Sequence, residues 1–176
     1  RENMAAGMNN WALAECDAGN FERAVELIQE GWAAHPAFAA FSANDVHIHQ
    51  RWAITLCDKG EFAEAMQALQ AAYLRRPEVA LFARGRYVVF GQWACALLEN
   101  GNLEDTSRLF REAEAWFDES AEFARYRSLA IQTVTRRLAH SGRDDEAKRL
   151  SLWVAELERR DSGPETATSD LTTANL

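Results

Sequence analysis

The sequence predicts an all-α protein built from a repeated pair of helices. Only three prolines and nine glycines interrupt the 176 residues, whereas Ala, Leu, Glu and Arg, which favour helices, are frequent. Residues of the same type recur with a fixed step of 41 positions. Self-similarity at one step of this size is typical of repeat architectures. The tryptophans and glycines that mark the step are Trp11, Trp52 and Trp93, and Gly19, Gly60, Gly101 and Gly142.

The first helix of a unit is best defined in the second copy. Apolar residues recur there at helical spacing and stop before Gly60. Glycine readily adopts the left-handed conformation that ends many helices, so Gly60 and its equivalents are predicted to terminate the first helix of each unit. The apolar positions in this copy are Phe41, Ile48, Trp52, Ala53 and Leu56.

A second helix is predicted directly after each of these glycines. Pro36 and Pro77 are expected to end it, because proline lacks the N–H group and clashes with the preceding turn. A turn of two or three residues makes the two helices antiparallel neighbours. In the second copy the apolar positions are Phe62, Ala65, Leu69, Ala72 and Tyr73. Residues equivalent to Ala65 are small, as expected where two helices cross closely: Ala24, Thr106 and Ala147.

About four such units fill residues 1–160, at about 1–36, 37–77, 78–118 and 119–160. The fourth unit is degenerate, since Val134 replaces the tryptophan and Asp144 replaces the phenylalanine after the turn. The first unit is clipped at its start, so we expect either a longer array or a different segment before it. Residues 161–176 contain neither Lys nor Arg and little that is apolar, which is typical of a disordered tail or linker.

The pattern resembles the tetratricopeptide repeat. The resemblance covers residues 3 to 160 and rests on a large residue, a small one, the turn glycine, an aromatic, an alanine and a closing proline. The family's usual period is about 34 residues, and the seven extra residues are predicted to lengthen the first helix. Long repeats of this kind resemble those of bacterial transcription activators and quorum-sensing regulators. In the second unit the motif is Trp52, Ala53, Leu56, Gly60, Phe62, Ala65, Leu69, Ala72 and Pro77.

The resemblance implies a right-handed superhelix of stacked antiparallel helix pairs with a concave groove lined by the first helices. A protein or peptide partner is expected in that groove. Amides there would bond an extended peptide backbone, and the arginines would meet carboxylates. The groove residues predicted in this way are Asn9, Leu13, His47, Gln50, Arg51, Ile54, Val88, Gln92, Cys95, Gln132 and Arg136.

Composition and motifs argue against several other functions. The net charge of -8 disfavours nucleic acid and acidic membranes, and no apolar run approaches the length of a membrane helix. His47 and His49 lie two apart on a predicted helix and point to different faces, so no metal site is expected. No catalytic or cofactor motif is present, which predicts a protein that is not an enzyme. Three cysteines without metal-ligand spacing suggest reduced thiols and a cytoplasmic location.

The tryptophans Trp11, Trp52 and Trp93 are predicted to be core residues, because each precedes an alanine at the close helix crossing. Leu152 and Trp153 are different, since their equivalents in the other units are mostly polar. We expect them to form an interface, with a homodimer partner, a following domain or the tail as cover, or else to cap the core.

Two other functions remain open from the sequence alone. One is a ligand- or peptide-sensing regulatory domain of a larger bacterial signalling or transcription protein. The other is a structural scaffold that oligomerises through the C-terminal helix.

Overall fold

The computed structural model describes residues 2–117 and 121–161, and all secondary structure within these ranges is α-helical. The order of elements confirms the predicted alternation of first and second helices. The helices are α1 Glu2–Asp17, α2 Phe21–Ala34, α3 Ala40–Asp58, α4 Phe62–Arg75, α5 Ala80–Glu99, α6 Leu103–Phe117, α7 Ala121–His140 and α8 Asp144–Asp161. The tail predicted for residues 161–176 lies outside the described residues, apart from Asp161 at the end of α8.

Each pair of helices is joined by a glycine turn of the predicted kind. At the end of α3, Gly60 has a φ of 80°, and its N–H donates to the carbonyl of Cys57 at 2.9 Å. The next N–H, of Glu61, reaches back to the carbonyl of Leu56 at 2.8 Å. These two bonds satisfy carbonyls that the helix end would otherwise leave without donors. The same pair of bonds and a positive φ recur at the other three turns.

Helix lengths show where the additional residues of each unit lie. The first helices α3, α5 and α7 have 19, 20 and 20 residues, whereas the second helices α2, α4 and α6 have 14, 14 and 15. Helices α2 and α4 end two residues before Pro36 and Pro77, as predicted. In the second, third and fourth pairs the first helix is therefore the longer of the two.

The helices pack mainly with neighbours in the chain order. Each first helix contacts its own second helix, and α2 and α4 contact the first helix of the following pair. The first helices also form a row of their own, in which α1 contacts α3, α3 contacts α5, and α5 contacts α7. Ala24, Ala65 and Thr106 are completely buried between the helices of their pairs. The small size predicted for this position agrees with close packing in these three pairs, whereas Ala147 of the fourth pair is only half-buried.

The tryptophans do not all belong to the core. Trp52 and Trp93 are half-buried, and their rings stack on Phe21 and Phe62 of the preceding pair at centroid distances of 6.2 and 6.5 Å. Trp11 is 51% exposed, so its assignment to the core was wrong. Within the described residues no aromatic ring stacks on Trp11, in contrast to Trp52 and Trp93.

Candidate functional site

Two clefts open along the row of first helices. The α3–α5 cleft has a volume of about 430 Å³, and the α5–α7 cleft has a volume of about 350 Å³. Val88 and Gln92 on α5 line both, so the two clefts adjoin across this helix. The wall of the α3–α5 cleft is formed by Gln50, Ile54, Leu81, Arg84, Gly85 and Val88 among others.

The two clefts are repeat-related copies of one site. The preceding helix lines the α3–α5 cleft with Gln50, Ile54 and Asp58, and residues 41 positions later line the α5–α7 cleft. The following helix repeats the relation, because Val88 and Leu129 occupy equivalent positions in their clefts. The remaining equivalent positions are Gly91, Cys95 and Glu99 on α5, and Tyr126 and Thr133 on α7. The row of first helices therefore has a cleft at the same repeat position twice, lined by different side chains.

Gly85 explains why the α3–α5 cleft is the larger. Its backbone lies against Leu69 at the floor of the cleft, where an added Cβ would come within 3.2 Å of Leu69 Cδ1. The equivalent residue of the next pair is Tyr126, whose ring stacks on Tyr87 at 5.2 Å and occupies space at the corresponding point. In the second pair the equivalent is Asn44, which bonds to α1. Only glycine leaves this position without a side chain.

The surface of the clefts is apolar to an unusual degree for exposed positions. Ile54 is 61% exposed, and Leu81, Val88 and Leu129 are also classed among the exposed large apolar residues. All four line one or both of the clefts. A contiguous group of exposed branched side chains in a concave surface is typical of a protein or ligand contact.

Polar side chains also line the clefts, beside the apolar strip formed by Ile54, Leu81, Val88 and Leu129. Gln50, Gln92 and Arg84 supply amide and guanidinium donors at the α3–α5 cleft, and Asp58 supplies a carboxylate. In the α5–α7 cleft, Arg137 forms an ion pair with Glu99. Apolar side chains beside amides suit a bound peptide segment. Such a segment can insert its own side chains into the clefts, while the amides hydrogen-bond its backbone groups.

Two cysteines also line the clefts, Cys57 in the larger and Cys95 in the smaller. Burial raises the pKa of both thiols, and the neighbouring carboxylate of Asp58 raises that of Cys57 further. A thiol with a raised pKa is a poor nucleophile near neutral pH. These residues therefore contribute small, polarisable surface rather than reactive groups.

The corresponding gap between α1 and α3 is closed by polar bridges. Asn44 Nδ2 donates to Asn9 Oδ1 at 2.7 Å, and Asn9 is buried. Arg51 forms an ion pair with Asp17 across the same gap. Asn9 and Arg51 were predicted to face a partner, but the structure uses both to join α1 to α3. Leu13, on the same helix as Asn9, is half-buried.

The remaining predicted residues are distributed as follows. Gln50, Ile54, Val88, Gln92 and Cys95 meet in the two clefts. His47, Gln132 and Arg136 are exposed but do not line either cleft. Gln132 donates instead to Ser128 Oγ at 3.2 Å on its own helix.

The residues proposed for a C-terminal interface behave differently from each other. Leu152 is 71% exposed on α8. Trp153 is half-buried, and its ring lies 6.1 Å from that of Phe110 and packs against the main core. Of the two interpretations, Trp153 therefore follows the core-capping one, and Leu152 presents an apolar surface to solvent.

The sequence analysis missed several residues of the clefts. Leu129 and Thr133 could have been found by adding the repeat step to Val88 and Gln92, two positions that the analysis had already selected. Leu81 and Arg84 had not been selected, and their equivalents in the neighbouring units are Ala40 and Glu122 for Leu81, and Ala43 and Arg125 for Arg84. Their role depends on the space that Gly85 leaves beside them.

A buried charged cluster lies on another side of α3. His49 Nδ1 lies 2.8 Å from the carbonyl oxygen of Asp45 and 3.2 Å from its Oδ1. A guanidinium can only donate, so His49 Nε2 accepts from Arg75 at 3.1 Å and the ring proton resides on Nδ1. Arg76 donates to Asp45 Oδ2 at 3.2 Å and to Ser42 Oγ at 2.8 Å. The cluster ties the end of α4 to the middle of α3.

Asp45 is held ionised within this cluster. Burial raises the pKa of its carboxyl, but the hydrogen bonds from His49 and Arg76 and the charge of Arg75 outweigh burial. The pKa is therefore lowered from its usual value. Because every member has a partner on a neighbouring turn or helix, we interpret the cluster as a structural clamp.

No group of three or more His, Cys, Asp or Glu side chains is placed to hold a metal ion in residues 2–117 and 121–161. Within the same ranges, the helices are too short or too polar to cross a membrane. No protein-family model matches the chain, and a search of curated proteins found no match.

Proposed function

We propose that this protein is an interaction module that binds a peptide or partner protein in the clefts along its first helices. The proposal includes an arrangement like that of tetratricopeptide repeats, in which successive pairs curve into a right-handed superhelix and the first helices line its concave side. The observation that carries it is the exposed apolar strip of Ile54, Leu81, Val88 and Leu129 in two repeat-related clefts.

The partner is expected to place two apolar side chains in the two clefts. The larger side chain enters the α3–α5 cleft, where Gly85 leaves the deeper space. The amides of Gln50 and Gln92 then bond the backbone of the partner between these anchors. Because the clefts are repeat-related, an extended segment with apolar residues at a regular spacing fits better than a single compact ligand.

The proposal can be tested by selecting peptides from a random display library on the immobilised chain. Each enriched peptide is then titrated against the wild type and against Ile54→Glu. A carboxylate in the apolar strip desolvates poorly, so the affinity is expected to fall at least tenfold. Leu74→Glu is the matched control, because Leu74 is 68% exposed on α4 and lines neither cleft.

Two results would count against the proposal. Selected peptides that bind Ile54→Glu as tightly as the wild type would place their site elsewhere on the molecule. Peptides that lose equal affinity with Leu74→Glu would show a general effect of added negative charge. Circular dichroism of both variants ensures that each retains its helices before affinities are compared.

A second function is favoured by Leu152, whose side chain is 71% exposed. An exposed leucine on the terminal helix suits a scaffold that self-associates through α8. Light scattering of the wild type beside Leu152→Glu tests this directly. A wild-type dimer that becomes a folded monomer in the variant supports the scaffold, and a wild-type monomer contradicts it.

A further inference from the structure

The last residue of three successive first helices is a carboxylate. Asp17 ends α1, Asp58 ends α3 and Glu99 ends α5, so the three occupy the same repeat position. Asp17 forms an ion pair with Arg51 of the next first helix, and Glu99 forms one with Arg137. At two of these three positions, an arginine from the following first helix therefore pairs with the terminal carboxylate.

Asp58 does not have such a partner. The arginines that pair with its two equivalents lie 34 and 38 residues after them. Counted from Asp58, these positions on α5 are Gln92 and Ala96, and neither side chain carries a charge. Asp58 is exposed, lines the α3–α5 cleft and forms no ion pair with any of the described residues. The carboxylate of the larger cleft is therefore left to solvent.

The α3–α5 cleft carries charges of both signs. Burial raises the pKa of the Cys57 thiol, and the negative charge of Asp58 raises it further, so this charge acts on the wall of the cleft. Arg84 on α5 supplies the opposite charge, since it is exposed, lines the same cleft and forms no ion pair within the described residues. One acid and one base, each without an ionic partner, thus stand beside the apolar side chains of this cleft.

The two charges are separated along the cleft. Ion pairs between successive first helices join residues 34 to 38 positions apart, so Asp58 faces residues 92–96 of α5. Arg84 lies two to three helical turns before that stretch, which is about 12 to 18 Å at 1.5 Å per residue. Ile54 lies one turn before Asp58 and Val88 one turn after Arg84, so apolar side chains lie between the charges. An extended peptide advances about 3.3 Å per residue and covers this distance in about four or five residues.

We infer that the segment bound in the α3–α5 cleft carries a basic and an acidic side chain about four or five residues apart, with its large apolar anchor between them. The base pairs with Asp58, as the protein's own arginines pair with Asp17 and Glu99. The acid pairs with Arg84, and the two charges together fix the direction of the segment along the cleft. The inference rests on the proposed function and adds the chemistry of the partner.

The α5–α7 cleft does not require the same charges. Its carboxylate, Glu99, is already paired with Arg137. Arg125, the equivalent of Arg84, does not line this cleft. The charge pattern is therefore specific to the α3–α5 cleft, and it determines which part of the partner enters there.

Both charges are exposed, so their contribution to affinity is modest. Neutralising one member of an exposed ion pair is expected to weaken binding by about threefold. Reversing both charges adds repulsion at two points, and we expect a loss of at least tenfold. The ion pairs therefore select the register and direction of the partner, whereas the apolar side chains supply most of the affinity.

The test repeats the peptide selection on the wild type and on the exchanged variant Arg84→Glu/Asp58→Lys. This exchange leaves the net charge of the protein unchanged and reverses only the two charges of the cleft. Peptides enriched on the wild type are expected to carry an acid and a base about four or five residues apart. Each should bind the exchanged variant at least tenfold more weakly, and a version with its acid and base interchanged should recover that binding.

Arg111→Glu/Glu112→Lys is the matched control. Both residues are exposed on α6 and line neither cleft, and this exchange also leaves the net charge unchanged. Binding of the selected peptides to this variant should equal binding to the wild type. Circular dichroism of the two exchanged variants verifies that their helices are retained.

A double-mutant cycle isolates the pair at Asp58. Asp58→Asn is combined with replacement of the basic residue of the peptide by glutamine. In the inferred complex the second change costs little once the first is present. Binding of the unchanged pair should also weaken as sodium chloride is added, because salt screens exposed charges.

Three results would refute the inference: additive losses in the cycle, equal binding to the exchanged variant, or enriched peptides without the charge pattern. If such peptides still lose affinity with Ile54→Glu, the proposed function stands and the inference about charge alone fails. A chain that enriches no peptide overturns both.

Discussion

Gly31 lies in the last turn of α2, where glycine would ordinarily weaken the helix. Replacing an interior helical glycine by alanine usually stabilises a protein by about 1 kcal/mol. At Gly31, however, an added Cβ would lie 2.6 Å from Phe41 Cε1 and closer still to Cζ. Ordinary carbon contacts are about 3.5 to 4.0 Å, so the fully buried Phe41 ring would have to shift by about 1 Å.

The expected magnitude follows from these opposing effects. Overpacking of a core costs about 1 to 3 kcal/mol, which exceeds the gain in helix propensity. We therefore expect Gly31→Ala to lower the free energy of unfolding by about 1 kcal/mol. Gly7→Ala is the matched control, because Gly7 is helical and exposed and has nothing within 4 Å of an added Cβ. It should raise the free energy of unfolding by about 0.5 to 1 kcal/mol.

Urea unfolding followed by circular dichroism measures both variants on one scale, provided that the slope with denaturant is unchanged. Phe41→Leu provides the second test, because a smaller side chain makes room for the added methyl group. In that background Gly31→Ala should lose most of its cost, which a double-mutant cycle measures. Equal stabilisation by Gly31→Ala and Gly7→Ala would refute the assignment of Gly31 to close helix packing.

Three further predictions concern other parts of the fold. Asp45→Asn should destabilise the protein by about 3 kcal/mol at pH 7, because Arg76 loses its buried charged partner. Since the folded pKa of Asp45 is lowered, this stabilisation is complete above the unfolded pKa of about 3.9 and is lost as the pH falls through the folded pKa. Unfolding curves of both proteins between pH 7 and pH 3 should therefore converge in acid. Trp52→Ala should lower the free energy of unfolding, measured with urea, by about 3 kcal/mol, and Trp11→Ala should lower it by less than half as much. The reason is that Trp52 stacks on Phe21, whereas Trp11 stacks on no aromatic ring within the described residues. Similar losses for the two variants would contradict this packing. Burial raises the pKa of the Cys16 thiol, so alkylation by iodoacetamide at pH 8 should be slow until denaturant is added; rapid labelling of the folded chain would contradict this.

Much of the fold could be predicted because each signal is local. Glycine at a left-handed turn, proline after a helix and an apolar residue every third or fourth position act within one or two helical turns. Repetition strengthens these signals, because a glycine stands at the equivalent position of all four turns. The position of the extra residues in the first helices followed from the same register.

The candidate site was less predictable. The pattern along one helix indicates which way a side chain points, but not which residue of a neighbouring helix it contacts. Asn9 and Arg51 were predicted to face a partner, but Asn44 and Asp17 on the adjacent helices meet them. The larger of the two clefts is lined in part by Gly85, whose contribution is the absence of a side chain. Exposure of Trp11 is likewise a property of its neighbours, and no pattern within α1 reveals it.

Equivalent buried positions in this molecule carry side chains of opposite charge. Asp45 is paired with Arg76, whereas Arg86, one repeat step later, donates to the carbonyl of Trp116 and lies over the rings of Tyr73 and Phe117 at 4.4 and 4.9 Å.

A stack of identical pairs could dock in shifted order without penalty, since every interface would be the same. Here a shift by one pair would bring a buried carboxylate or guanidinium into surroundings selected for the other sign, and burying an unpaired charge is costly. The regular apolar pattern therefore specifies the helices and their pairing, and the charged substitutions within it specify which pair follows which. The two clefts, although repeat-related, likewise differ in the side chains that line them.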